Sequence, residues 1–162
     1  MKRSRIDLLL LQRDHSWEKE EWFPPLSVAL EGVSAREASW KPPGGGNTIR
    51  QIVRHINYYN ERLLDRLAGK SPKYDNSNDA TFGEPGEDED ESGWRATLEQ
   101  TRRIAEELRK AMAALSDDDL DNTLSSATIG EQLALWMTHD AYHTGQIVLI
   151  RKQQGTWPAN RA

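Results

Sequence analysis

The segment HDAYHTGQI, residues 139–147, holds two of the chain's four histidines, one helical turn apart. At about 100° per residue, His139 and His143 fall about 40° apart on one helix face. Ile129, Gln132, Trp136, Ile147 and Ile150 lie on or beside that face, so both rings point into an apolar stripe. Burying an imidazole without a partner is costly. Either each ring has its own hydrogen-bond partner, or the two share a ligand. Two imidazoles one turn apart can chelate a divalent ion, but a third donor must then come from another element. The chain has no cysteine, which excludes disulfides, thiolate ligands and a cysteine nucleophile. The remaining histidines are His55, in TIRQIVRHI, and His15, in QRDHSWEKEE. His55 lies about 100° from the centre of its helix's apolar stripe, at the edge, where a side chain can line a pocket mouth. His15 stands amid charges and reads as a surface residue.

Asp140 follows His139 directly, and His139-Asp-x-x-His143 invites comparison with the zinc-protease HExxH, where the glutamate is a general base. Aspartate is one methylene shorter. Orientation of a ligand histidine through its free ring nitrogen suits it better, with a base role and an unrelated buried hydrogen bond as alternatives. Gln132 and Gln146 share the histidine side and can reach a pocket there. Tyr58, Tyr59 and Tyr142 read as packing residues before proton donors. Trp136 lies near the histidine face and can line a pocket. Trp17, Trp22, Trp40, Trp94 and Trp157 stand at segment ends, where large rings cap a bundle.

The elements that position these residues are helical. A first helix spans about Arg5 to Glu21, opened by a cap at Ser4, and Pro25 suits the first turn of a short helix. SWKPPGGGN, residues 39–47, breaks the chain. Thr48 and Gln51 form a capping box, and Ile49, Ile52, Val53, Ile56, Tyr59, Leu63 and Leu67 repeat at helical spacing until Gly69 and Pro72. Gly69 to Gly93 reads as a solvated acidic loop, with no cation site implied by its carboxylates. It is long enough to cross the end of a bundle, so helices two and three need not be antiparallel neighbours. A third helix carries Trp94, Leu98, Thr101, Ile104 or Ala105, Leu108, Met112 and Leu115. A second capping box at Thr128 and Glu131 opens a fourth helix, which runs to about Gln154 and stops at Gly155. No segment reads as strand.

Four such segments in 162 residues make one domain, residues 1–162, packed as an all-α four-helix bundle. The last helix is apolar on most faces, with Leu133, Leu135, Met137, Ala141, Val148 and Leu149 outside the main stripe. That points to a second partner surface, hence a homodimer, and close approach of another backbone would account for Gly145. The net charge of −5 argues against nucleic acid. No run approaches the roughly 20 apolar residues that span a membrane. The N-terminal apolar run, Leu8 to Leu11, is too short for a secretory signal, so the expected location is cytoplasmic.

TIRQIVRHI (48–56) on a second helix, a long loop, and THDAYHTGQI (138–147) on a last helix, preceded by SWKP (39–42), resemble the DinB/YfiT-like superfamily. The likeness runs in order along essentially the whole chain, and the histidine motif ending in Gly-Gln-Ile is its most specific part. The resemblance implies a four-helix bundle with a metal held by His55, His139 and His143, nickel or zinc as that metal, a homodimer and a small-molecule substrate. Relatives similar to bacillithiol- or mycothiol-using equivalents of glutathione transferases imply transfer of a low-molecular-weight thiol to an electrophile. Others, labelled metal-dependent hydrolases, imply attack by water. A non-catalytic stress-related metal- or ligand-binding protein is the third expectation. It calls for a closed four-ligand site, and no fourth donor stands near the motifs.

Overall fold

A serine or threonine followed three residues later by an acid or glutamine begins three of the four long helices. In the structure, a computed structural model that describes residues 2–159, Ser4, Thr48 and Thr128 each accept a backbone N–H, and Asp7, Gln51 and Glu131 return the bond to the cap's own N–H. Each box satisfies amides that the helix itself leaves bare. Along the chain the helices are α1 (Arg5–Trp17), α2 (Leu26–Ala29), α3 (Ala35–Ser39), α4 (Ile49–Leu67), α5 (Glu91–Ala113) and α6 (Ile129–Gln153). Residues 1 and 160–162 lie outside the described part. Among the described residues no helix is long and apolar enough to cross a membrane.

Two glycines end helices as their positions predict. Gly69 and Gly155 take φ of 79° and 76°, a left-handed geometry that costs a Cβ-free residue little. Lys70 N–H then bonds to the Asp65 carbonyl and Thr156 N–H to that of Arg151, closing Schellman turns on α4 and α6. Other expectations are corrected. The first helix stops at Trp17, short of Glu21, because the Glu18 and Lys19 N–H groups both turn back to the Asp14 carbonyl. The third begins at Glu91, where Asp90 caps the Gly93 N–H. A hairpin of two-residue strands, β1 (Thr123–Leu124) and β2 (Ala127–Thr128), pairs antiparallel just before α6. Strands of two residues are too short for any alternation to be legible.

The acidic loop is the larger correction. Residues 79–82 form a turn of 3-10 helix packed on α4, with Thr81 buried. Three of the carboxylates that follow, although on the surface, have partners within the fold. Asp88 accepts from the Ser39 hydroxyl, Asp90 pairs with the buried Arg50 at 2.9 Å, and Glu91 accepts from the Ala35 N–H. The loop thus ties α3, α4 and α5 together. It also sets direction. The bonds Arg50–Asp90, Asn57–Thr97 and Glu61–Arg103 climb both helices together, so α4 and α5 are parallel neighbours. Ile52 shares a groove with Ile150, and Arg66 shares one with Gln132, so α6 runs antiparallel to α4. The Arg5 and Ile6 N–H groups bond to Asp117, just past the end of α5, while Arg13 donates to the Ala105 carbonyl, so α1 runs antiparallel to α5.

The apolar core is in two parts. One gathers Leu26, Val33, Ile52, Ile56, Trp94 and Ile147, where Trp94 Nε1 donates to the Val33 carbonyl at 2.7 Å. The other gathers Leu63, Ile104, Leu108, Met112, Leu133 and Met137. Between them α4 contributes His55, Asn57 and Asn60, α5 contributes Thr97 and Thr101, and α6 contributes Asp140, His143 and Thr144, all buried. The tryptophans divide likewise. Trp94 belongs to the core and Trp17 and Trp40 pack against it, but Trp22 is 96% exposed and caps nothing.

Behind the polar layer, Asp14 on α1 is buried and takes bonds from Arg13, Arg109 and Lys19. Burial pushes its carboxyl up, but the bonds from Arg109, Arg13 and Lys19 outweigh that and hold it at about 2. A folded-state pKa below the ordinary carboxylate value contributes stability that is complete above about pH 4 and lost as pH falls toward 2. That difference corresponds to about 2 kcal/mol. Urea denaturation of Asp14→Asn is therefore expected to show a loss of at least that size at pH 7, and a markedly smaller loss at pH 2.5. An equal loss at both pH values would refute the assignment.

Candidate metal centre

His139 and His143 stand on one face of α6 because the helix runs unbroken through them, and His55 faces them from α4. The Nε2 atoms of His55 and His139 lie 3.0 Å apart, and those of His143 and His139 lie 3.1 Å apart. A ligand atom from each ring lies within 4.8 Å of the others. The edge position expected for His55 proves to be buried, at 2% exposure, and His143 is buried at 5%. The His139 side chain remains 33% exposed. His15 is elsewhere, half-buried, with its Nδ1 on the Lys19 carbonyl.

The other ring nitrogens explain why the three Nε2 atoms meet. Thr81 already donates its hydroxyl proton to the Asn78 carbonyl, so its Oγ1, 2.6 Å from His55 Nδ1, accepts from that nitrogen. Gln146 donates its amide N–H to the Tyr142 hydroxyl and offers Oε1 to His143 Nδ1 at 2.6 Å. Both rings therefore carry their proton on Nδ1 and present a lone pair at Nε2. Burial, reinforced by the neighbouring His143 and His139 rings, pushes the His55 imidazole down to about 3, and burial likewise lowers His143. Two neutral rings thus aim lone pairs at a third. One N–H on His139 Nε2 would satisfy only one of them. A cation satisfies all three at once. Bonds of about 2.0–2.1 Å to each nitrogen place the nitrogens about 3 Å apart, which matches the two separations from His139. The donor set fits a divalent metal, with hydrogen-bonded outer nitrogens of the kind that orient metal-bound histidines.

Aromatic rings wall the cluster. Phe82 stacks on His55 with ring centres 4.0 Å apart and planes 6° off parallel, and Tyr59 meets the same ring edge-on at 5.0 Å. Asp140 is 7% exposed, with Oδ2 accepting from Asn60 Nδ2 and Trp136 Nε1 at 2.9 and 3.0 Å. Its Oδ1, buried without a hydrogen-bond partner, lies 3.9 Å from His139 Nδ1, beyond bonding length. Burial pushes the Asp140 carboxyl up, against the nearby His139 ring and the hydrogen bonds from Asn60 and Trp136, which lower it.

Gln132, Gln146 and Trp136 stand where the histidine face predicts, at a pocket beside His139 or on His143 itself. Thr81, Phe82 and Asn60 are additions. Asn60 was open to detection, since a polar residue between Ile56 and Leu63 on an apolar stripe must be buried with a partner. Thr81 and Phe82 lie in an aperiodic loop and give no such signal. Thr81→Val keeps the shape of the side chain and removes the acceptor for His55 Nδ1–H. Competition titration with a chromogenic chelator is expected to show zinc affinity about 10–100-fold weaker than wild type, in a metal-free protein that keeps the helical circular-dichroism spectrum of wild type. Unaltered affinity would show that Thr81 does not support the site.

Comparison with known proteins agrees with this architecture. No curated protein and no solved structure matches the chain. The model of the DinB superfamily matches residues 25–147. That span holds α2 to α5, most of α6, and all three converging histidines, so the chain belongs to the DinB superfamily.

Proposed function

We propose that this protein is a metal-dependent enzyme that transfers a low-molecular-weight thiol to electrophilic small molecules. The observation that carries the reading is the convergence of three imidazole Nε2 atoms, two of them fixed as lone-pair donors by Thr81 and Gln146. His55, His139 and His143 would hold the ion, nickel or zinc. When bound, it supplies Lewis acidity, which lowers the pKa of a thiol or water brought to its open position. The chain has no sulfhydryl of its own, so the thiol comes from outside, as bacillithiol or mycothiol does. The rest is done by the chain's own groups. Phe82 and Tyr59 exclude water from the His55 side. His139, the most exposed of the three rings, leaves one side open to reactants.

Asp140 serves here as a positioning residue for His139. Its burial and the two N–H groups on Oδ2 leave no path for a proton from a reactant, while Oδ1 remains available to His139 Nδ1. The reading includes a cytoplasmic homodimer. Leu133 and Met137 are core residues, but Leu135, Tyr142 and Leu149 are 66%, 64% and 55% exposed at heptad spacing on one face of α6, with open space above Gly145 between them. Such a face suits a second copy.

Protein loaded with nickel or zinc is expected to hold about one ion per chain by mass spectrometry, to lose it in His55→Ala, and to accelerate conjugation of bacillithiol or mycothiol to a model electrophile such as monochlorobimane. Metal without conjugation, but with turnover of esters or amides in the absence of thiol, would transfer the assignment to hydrolysis. Metal with neither activity would leave a binding protein. In metal-saturated Asp140→Asn, turnover is expected to stay within about threefold of wild type while metal affinity falls. A loss of turnover of 100-fold or more at full occupancy would make Asp140 a proton carrier instead.

A further inference from the structure

A pocket of ≈ 190 Å³ lies between α4 and α6, with His139 at one end and Arg66 at the other. Leu63, Leu135, Trp136 and Tyr59 make its walls mainly apolar. The polar side chains that line it between Arg66 and His139 each make a bond within the chain. The Tyr59 hydroxyl donates to Asn78, the Asn60 amide to Asp140, the Gln132 amide to the Leu124 carbonyl, and the Trp136 indole to Asp140. The Arg66 guanidinium has no ion pair or hydrogen bond among the described residues, although its Nε is buried. Its neighbour Asp65 is taken by Lys70 at 3.2 Å.

A half-buried guanidinium left unpaired loses hydration without gaining a partner. It is also a planar fork of donors matched to a carboxylate. Arg66 stands three turns after His55 on α4, and Gln132 two turns before His139 on the antiparallel α6, so both flank the pocket on the same side of the histidines. Side chains on a helix lean toward its N-terminus, which brings the Arg66 head back toward His139. The span from the histidine cluster to that head is then about 10 Å.

Resting on the thiol-transfer reading, we infer that the pocket takes a molecule with a terminal carboxylate, bound by Arg66, an apolar body along Leu63 and Trp136, and its reacting end beside His139. The carboxylate selects the substrate class, and the apolar walls and pocket length set how far the reacting atom lies from it. A net charge of −5 makes one unpaired cation beside the site a discriminating feature, since the field elsewhere repels anions.

Calorimetric titration of the zinc-loaded protein with 8-mercaptooctanoate and with 8-mercaptooctan-1-ol tests this. The carboxylate is expected to bind wild type about tenfold or more tightly than the alcohol. In Arg66→Gln the two are expected to bind alike, with alcohol affinity and zinc content unchanged. A second titration of metal-stripped protein, with octanoate and hexanoate, reads the Arg66 contact without any metal, and Arg66→Gln is expected to weaken both. Equal binding of the two thiols by wild type, a preference that survives in Arg66→Gln, or no binding of either thiol overturns the assignment. Loss of conjugation activity with the carboxylate preference intact would sink thiol transfer and leave the anion pocket standing. Conjugation without that preference would do the reverse.

Discussion

Three imidazole nitrogens cannot share one small space as neutral acceptors. Each Nε2 lone pair repels the others, and burial removes the water that would otherwise separate them. The bundle imposes this arrangement, because Thr81 and Gln146 each hold a proton on the far side of a ring. Much of the fold follows from that demand. The polar layer that divides the core supplies Asn60 and Trp136 to anchor Asp140 beside His139. The loop after α4 turns inward because Thr81 and Phe82 must meet His55.

The polar layer has an energetic consequence. A continuous apolar core would stabilise a domain of this size more than a divided one, since each buried polar group contributes only when fully bonded. The layer is largely satisfied. Thr97, Thr101 and Thr144 bond to carbonyls of their own helices, and Arg13 and Asp14 bond to each other and to α5. Two atoms beside the site are exceptions. Asn60 Oδ1 and Asp140 Oδ1 are buried without partners. Strain of this kind, held beside a candidate reaction centre and offset by the rest of the layer, is where function and stability diverge.

What could be read from the sequence was local. The capping boxes at Thr48 and Thr128, the cap at Ser4 and the stops at Gly69 and Gly155 depend on residues within a few positions of one another, and all form as written. The juxtaposition of His139 and His143 is equally local, fixed by helical pitch. The place of His55 was less so. A wheel gives an angle to the helix's own stripe, but burial depends on what packs opposite, and Phe82 covers the ring from a loop with no period. The parallel course of α4 and α5 was hidden for the same reason. It rests on long-range pairs such as Arg50–Asp90 and Glu61–Arg103, and nothing near Arg50 or Glu61 in the chain specifies the partner.

That division bears on how the site is assembled. His139 and His143 are set by one helix, so their spacing survives any error in tertiary packing. His55 reaches them only if α4 docks against α6 and the loop closes over it. The acidic residues of that loop act as fasteners, with Asp90 on Arg50 and Asp88 on Ser39. An ion bound by all three rings would join the same two helices from inside. Loop and ion would then bear on the same ring, His55, from its two sides. Were an ion bound there, loosening the loop at Thr81 would weaken its hold without touching a histidine, and occupancy would stabilise the loop in return.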